Sequence, residues 1–410
     1  MSTETEPVVV TLEVNLDETD NIPEIEEKNQ KPVETPEPVE QKQEAVEEME
    51  PVKVQPLDQP KEPKETHKHS PSIKGVNIAS YAFVMGLQGL GLVYKKTHEH
   101  WEWSEVIPDI IMYVALAFAA LFSVLYIIKI FKEPAEVKKE WNHPIRRNFF
   151  AAVPIVIMLF SLLFNDKSYD AAVILGLVGI TLQILFTLYL LGVWIQDDRM
   201  SVDRCSTILF LPVVAVLLGG LVFAKLPNFH FHKEIMYFCL GVGTMLWIKL
   251  NVNFFQRSIY GKKWLQGKFA FANYILLAPT AIMAVTIEII SKRNGGTTAS
   301  PLAIALWGCS LFYLLFNLRL LPLFFKVGAF NKYAISMNAV IFPNAALTVS
   351  TFMVEYSLNI GGLLLGLVIF LTVVTTVVFI ATIINMFKGE FFAEVLPKKK
   401  PAAKPVCCDV

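Results

Sequence analysis

Val153, Leu211, Ala278 and Phe342 each stand immediately before a proline, at Pro154, Pro212, Pro279 and Pro343, near the middle of long apolar segments. If the four prolines lie at one depth, these side chains make a collar of aliphatic groups with a single aromatic. The chemistry of such a collar is exclusion of water: it blocks ions by dewetting and opens by rotamer movement. Phe342 is the one member bulky enough to close a narrow lumen, which marks it as a candidate gate. Other reactive residue types give less. His98 and His100, and His230 and His232, form two His-x-His pairs that could begin a zinc or copper site, but each lacks a third ligand and reads as solvated loop histidine. Cys205, Cys239 and Cys309 lie in or near apolar segments, so no disulfide framework is indicated. Cys407 and Cys408 follow a polybasic stretch, which reads either as a lipidation site or as a spare reduced pair. The sequence holds no phosphate-cradling glycine loop, no His-Glu-x-x-His and no nucleophile arrangement, so no enzyme, metal or cofactor is expected, and nothing points to nucleic acid.

The elements that must position these residues are membrane helices. With 54% hydrophobic and 12% aromatic residues in 410, the composition is that of a polytopic membrane protein with a soluble tail. Residues 1–70 carry 19 acidic and 7 basic side chains, nine prolines and no aromatic residue. Such a segment cannot bury enough apolar area to offset its ordering entropy, so residues 1–75 are expected to be a disordered acidic tail. It serves either as a tether for a basic face or as a solvated tail without a fixed partner. Ten apolar stretches follow, each near the ~20 residues that a bilayer requires: 76–94, 107–131, 148–165, 171–195, 206–225, 233–255, 270–291, 300–325, 333–355 and 361–387. Residues 76–390 therefore read as one ten-helix transmembrane domain, and 391–410 as a basic C-terminal tail.

Basic clusters fix the expected orientation. Lys138, Lys139, Arg146 and Arg147 fall between stretches 2 and 3, and Arg257, Lys262, Lys263 and Lys268 between 6 and 7, whereas the opposite loops are poor in Lys and Arg. By the positive-inside rule both termini lie in the cytoplasm. The stretches then pair into five hairpins, and the proline intervals of 58, 67 and 64 residues recur once per hairpin. A proline inside a helix removes a backbone hydrogen bond at a cost of ~3 kcal/mol in water, and in a membrane it is kept only where neighbours repair the backbone. One interval before Pro154 lies the region of Gly86, Gly89 and Gly91, which offers the same local weakness. The pattern predicts a pseudo-fivefold ring in which proline-kinked odd helices surround a pore and straight even helices face lipid. Helix packing alone is the competing explanation.

Central portions of the odd helices have no ionisable residue, which disfavours a proton relay. Lys249 and Arg319, with Asn251, Asn253 and Asn317 close by, are candidates for raising anion concentration at a cytoplasmic mouth, or else snorkel to headgroups.

The run His143-Pro144-Ile145-Arg146-Arg147-Asn148-Phe149-Phe150, together with Leu277-Ala278-Pro279 and Phe342-Pro343, resembles motifs of the tellurite-resistance/dicarboxylate transporter family. That family includes bacterial tellurite-resistance channels, fungal malate and sulfite carriers and plant slow anion channels. The resemblance spans about 76–390 and implies ten helices around a pore, a homotrimer with one channel per subunit, and a plasma-membrane or bacterial inner-membrane location. It also implies that Phe342 plugs the pore. Met337, Asn338, Ala339, Val340 and Ile341 precede it where the family often has aromatic residues. The expected function is a channel or facilitative exporter for small anions; the alternatives are a coupled carrier of C4-dicarboxylate, sulfite or tellurite, and a non-transporting sensor or scaffold.

Overall fold

The computed structural model describes residues 73–197, 206–260, 267–330 and 333–388. The acidic tail up to residue 72, Cys205 and the basic C-terminal segment with Cys407 and Cys408 lie outside the described residues. Among those described, the chain is entirely helical, with α1 (Tyr81–Trp101), α2 (Val106–Lys132), α3 (Pro134–Asn142), α4 (Ala152–Phe164), α5 (Tyr169–Gln196), α6 (Phe210–Lys225), α7 (His232–Tyr260), α8 (Leu277–Arg293), α9 (Pro301–Arg319), α10 (Leu321–Lys326), α11 (Ile341–Leu358) and α12 (Gly361–Phe387). Nine helical segments among the described residues are long and apolar enough to cross a bilayer. They are α2, α4, α5, α6, α7, α8, α9, α11 and α12, with α4, α6, α8 and α11 counted together with the 3-10 turns that lead into them. The remaining long helix, α1, carries Lys95, Lys96, His98, Glu99 and His100 in its last two turns.

Burial divides these helices into two sets. The most apolar window of α6 is 100% buried, those of α8 and α11 83%, and that of α4 67%, whereas α2, α5, α7, α9 and α12 are only 28–33% buried. The second set exposes rows of large apolar side chains, such as Ile110, Tyr113 and Val124 on α2 or Ile369, Val373 and Val377 on α12. Apolar faces of that extent have no place in water and suit lipid. The buried helices contact one another in sequence, α1 with α4, α4 with α6, α6 with α8, α8 with α11 and α11 with α1, and each also pairs with the exposed helix that follows it.

The prolines do not interrupt α-helices. Pro154, Pro212, Pro279 and Pro343 are each the third residue of an α segment that continues a 3-10 segment: Arg146–Ala151, Thr207–Leu209, Gly267–Leu276 and Ile335–Val340 respectively. In a first α turn the missing N–H has no α-helical partner to lose, so proline is tolerated where the winding changes from 3-10 to α. Side-chain groups bond main-chain carbonyls within 3 residues of three of the prolines. Asn344 Nδ2 donates to the Val340 carbonyl (2.6 Å), Gln183 Nε2 to the Pro212 carbonyl (3.2 Å) and Ser310 Oγ to the Leu277 carbonyl (3.0 Å). In α1 the 3-10 segment Ile78–Ser80 gives way to α winding at Tyr81, so Phe83 holds the register position that proline holds elsewhere.

The His143–Asn148 motif is a turn that closes on itself. Arg147 Nη2 donates to the Asn142 carbonyl (3.0 Å) and Nε to that of His143 (3.4 Å), and Asn148 Nδ2 donates to the Pro144 carbonyl (2.9 Å). Beside it the last turn of α3 is held on two sides. Glu140 receives Lys129 Nζ (2.9 Å) and the Tyr126 hydroxyl (2.9 Å) from the end of α2, while Trp141 stacks on Tyr189 of α5 and meets Phe150 edge-on.

Candidate functional site: an apolar lumen and its mouth

Two cavities share a wall among the buried helices. The inner one, about 40 Å³, is lined by Gly89, Leu92, Leu159, Leu162, Leu218, Leu221, Ile282, Val285, Phe342, Ala345, Ala346 and Val349. All five buried helices contribute, and no lining side chain is polar. The outer one, about 100 Å³, adds Lys95, Lys96, Glu99, Asn165, Asp166, Lys225 and Met353. Leu92, Leu162, Leu221, Val285 and Val349 line both cavities, one from each buried helix, and form an aliphatic collar between them.

The layering follows from helix geometry. Each collar residue has a partner three positions earlier that lines the inner cavity: Gly89, Leu159, Leu218, Ile282 and Ala346. Residues three apart share a helix face, so the lumen is two apolar layers about one turn apart. Continuing outward by three or four residues gives Lys95 and Lys96 on α1, Asn165 after α4, Lys225 on α6 and Met353 on α11. One water needs about 10–15 Å³ of such space, so the outer cavity holds several waters and the inner only a few.

Of the four residues that precede prolines, Phe342 lines the lumen, whereas Val153, Leu211 and Ala278 are absent from the lining of either cavity. Phe342 is 6% exposed and lies against α1 where that helix has no side chain. A Cβ on Gly89 would come within 2.9 Å of the Ala345 Cβ and 3.5 Å of the Phe342 ring, and one on Gly86 within 3.1 Å of Ile341. The two glycines stand three and six residues beyond Phe83, and their effect is close approach of α1 to α11. Gly89→Val should push these helices apart, lower stability by ~1–3 kcal/mol as overpacked cores do, and dislodge the Phe342 ring. A thermal-unfolding shift in detergent and the flux assays below measure both effects, and an unaltered melting temperature would refute the close packing.

Lys249 and Arg319 are exposed on the outer helices α7 and α9 and line neither cavity, so the structure does not bring them to the lumen. The histidine pairs are engaged locally: His98 Nδ1 donates to the Trp103 carbonyl (2.5 Å), His100 Nε2 lies 3.7 Å from Glu355, and His232 Nδ1 donates to the Phe229 carbonyl (2.7 Å). Among the described residues no group of three or more His, Cys, Asp or Glu could hold a metal. Cys239 is buried and Cys309 exposed, both as free thiols. Sequence reasoning missed the collar and the mouth lysines. The signal was the i, i+3 pair of aliphatic residues one or two turns after each proline.

Residues 75–387 match the family described as voltage-dependent anion channel. A tellurite resistance protein TehA homolog of Haemophilus influenzae is 26% identical over 268 residues, covering 65% of this chain and 79% of that protein. The match spans every helix that lines the two cavities, and the chain belongs to the voltage-dependent anion channel family.

Proposed function

We propose that this multi-pass membrane protein is a channel or facilitative exporter for small anions, with α1, α4, α6, α8 and α11 ringed around the lumen, each forming a hairpin with the helix that follows it, and α1 supplying the tenth crossing. The observation that carries this reading is the pair of cavities in line, each lined by all five buried helices and separated by one aliphatic residue from each. An apolar lumen without a fixed negative charge favours anions over cations, and its lack of an ionisable residue leaves nothing to carry a coupling proton. Phe342, on the inner side of the collar, is the gate in this reading. By the positive-inside rule, Lys138, Arg146 and Arg147 between α2 and α4 support a reading with both termini in the cytoplasm and the lysine-bearing mouth outside. The family resemblance adds a plasma-membrane location and a homotrimer with one pore per subunit.

Flux from liposomes discriminates the channel from a coupled carrier of C4-dicarboxylate, sulfite or tellurite. Anion efflux should rise linearly with concentration and ignore an imposed proton gradient; saturation with acceleration by that gradient would support the carrier instead.

A further inference from the structure

The mouth of the lumen holds three lysines whose charges are not equally spent. Lys95 Nζ is 2.6 Å from Asp166, and Lys96 pairs with Glu99. In both pairs the lysine is the more enclosed member, with side chains 20% exposed against 61% for Asp166 and 48% for Glu99. All four side chains line the outer cavity, and within each pair the two charges offset each other. Lys225, in the last turn of α6 and half-buried, has no ion-pair partner among the described residues and lines the same cavity. It lies four residues beyond the collar residue Leu221, so one helical turn separates its Cα from the apolar constriction. On the same wall the side-chain oxygen of Asn165 is buried with no partner. A buried acceptor of that kind calls for a donor, which the water shell of a bound ion supplies.

We propose that Lys225 is the anion-capture residue of this mouth, holding a small monovalent anion with part of its hydration shell just before the collar strips the rest. This assignment rests on the channel reading and adds a recognition site to it. One unpaired ammonium neutralises one charge, and the carboxylates of Glu99 and Asp166 in the lining of the same cavity repel a second negative charge, so dianions such as sulfate or a C4-dicarboxylate are disfavoured. The neutral pairs leave the field of Lys225 undiluted, and a cavity with low-dielectric walls focuses that field on the entering ion.

The test uses single-channel currents of the full chain carrying Phe342→Ala. In about 10 mM salt, where the Debye length is about 30 Å, Lys225→Gln should lower inward anion conductance about tenfold, the lower end of electrostatic focusing. In about 1 M salt, where the Debye length is about 3 Å, the two should converge. Lys225→Arg should behave as the parent, as should Lys167→Gln, which removes a surface lysine paired with Asp109. Chloride should carry more current than sulfate, and equal currents would overturn the monovalent preference. A readout independent of conduction comes from Val349→Cys, with the other cysteines replaced by serine, reacted with anionic and cationic methanethiosulfonates. The ratio of the two rates should fall about tenfold in Lys225→Gln. An unchanged ratio overturns the assignment whatever the currents show, whereas a parent that carries no current counts against the channel reading, with the ratio still deciding the role of Lys225.

Discussion

Phe342→Ala should raise anion flux through the reconstituted protein by about ten- to a hundredfold. Phe342 is 6% exposed and lines the inner apolar cavity against the bare backbone of Gly89. To open the lumen the wild-type ring must leave that seat, exposing a side chain whose burial is worth about 1.5–3 kcal/mol. At about 1.4 kcal/mol per factor of ten, removing that step accounts for the predicted gain. The collar one turn away remains, so the mutant pore conducts without becoming a wide hole. The same truncation deletes core volume, and Phe→Ala changes in cores cost about 3–5 kcal/mol. Phe342→Leu, which keeps most of the packing, should therefore open the pore partially with a smaller loss of stability. Flux that stays at the wild-type level in a folded Phe342→Ala protein would remove Phe342 from the role of gate.

The largest stability effect is expected at the other end of the bundle. Lys129 and Glu140 are 1% and 5% exposed, and their ion pair joins the last turn of α2 to α3 while Lys129 also donates to the Val76 carbonyl. Tyr126 gives Glu140 its second hydrogen bond. Removing one charge strands the other in a desolvated site, so Lys129→Met should destabilise the protein by about 3–5 kcal/mol. Removing both as Lys129→Met with Glu140→Leu should recover most of this, because the desolvation cost of both ions disappears together. Denaturant unfolding of the three proteins in detergent measures the difference. If the double variant is no more stable than the single one, the pair is not what holds α3 in place.

Much of this architecture was legible in the sequence. Nine of the ten apolar stretches correspond to helical segments long and apolar enough to cross a bilayer, because twenty apolar residues in a row have few alternatives to a membrane helix, and the remaining stretch, 76–94, falls largely in α1. The prolines marked which helices are buried, since burial among neighbours is what allows Asn344, Gln183 and Ser310 to complete the backbone around them. Their local effect was not legible. Hydropathy does not distinguish 3-10 from α winding, and so the prolines read as kinks inside helices when they begin α segments. The lumen was harder still. Collar residues stand eight, nine, six and six positions after Pro154, Pro212, Pro279 and Pro343. No constant offset from the prolines therefore finds them, and the 3-10 segments that lead into the four helices differ in length, from 3 to 10 residues. For that reason Phe342 met the lumen while Val153, Leu211 and Ala278 did not. Lys249 and Arg319 lie on stretches 6 and 8, which the proline pattern already assigns to the outer set, and the structure leaves both exposed and absent from the lining of either cavity. Lys95 and Lys96 stand just beyond the 76–94 stretch, and nothing in the pattern of charges sets Lys225 of α6 in the same cavity with them.

The central claim is selective passage of anions through the five-helix lumen. Its most direct test is the reversal potential of currents through purified Phe342→Ala protein in a planar bilayer under a potassium chloride gradient. The account predicts reversal close to the chloride equilibrium potential, with no shift when potassium is replaced by a large organic cation. Reversal close to the potassium potential, or a shift that follows the proton gradient, would contradict it.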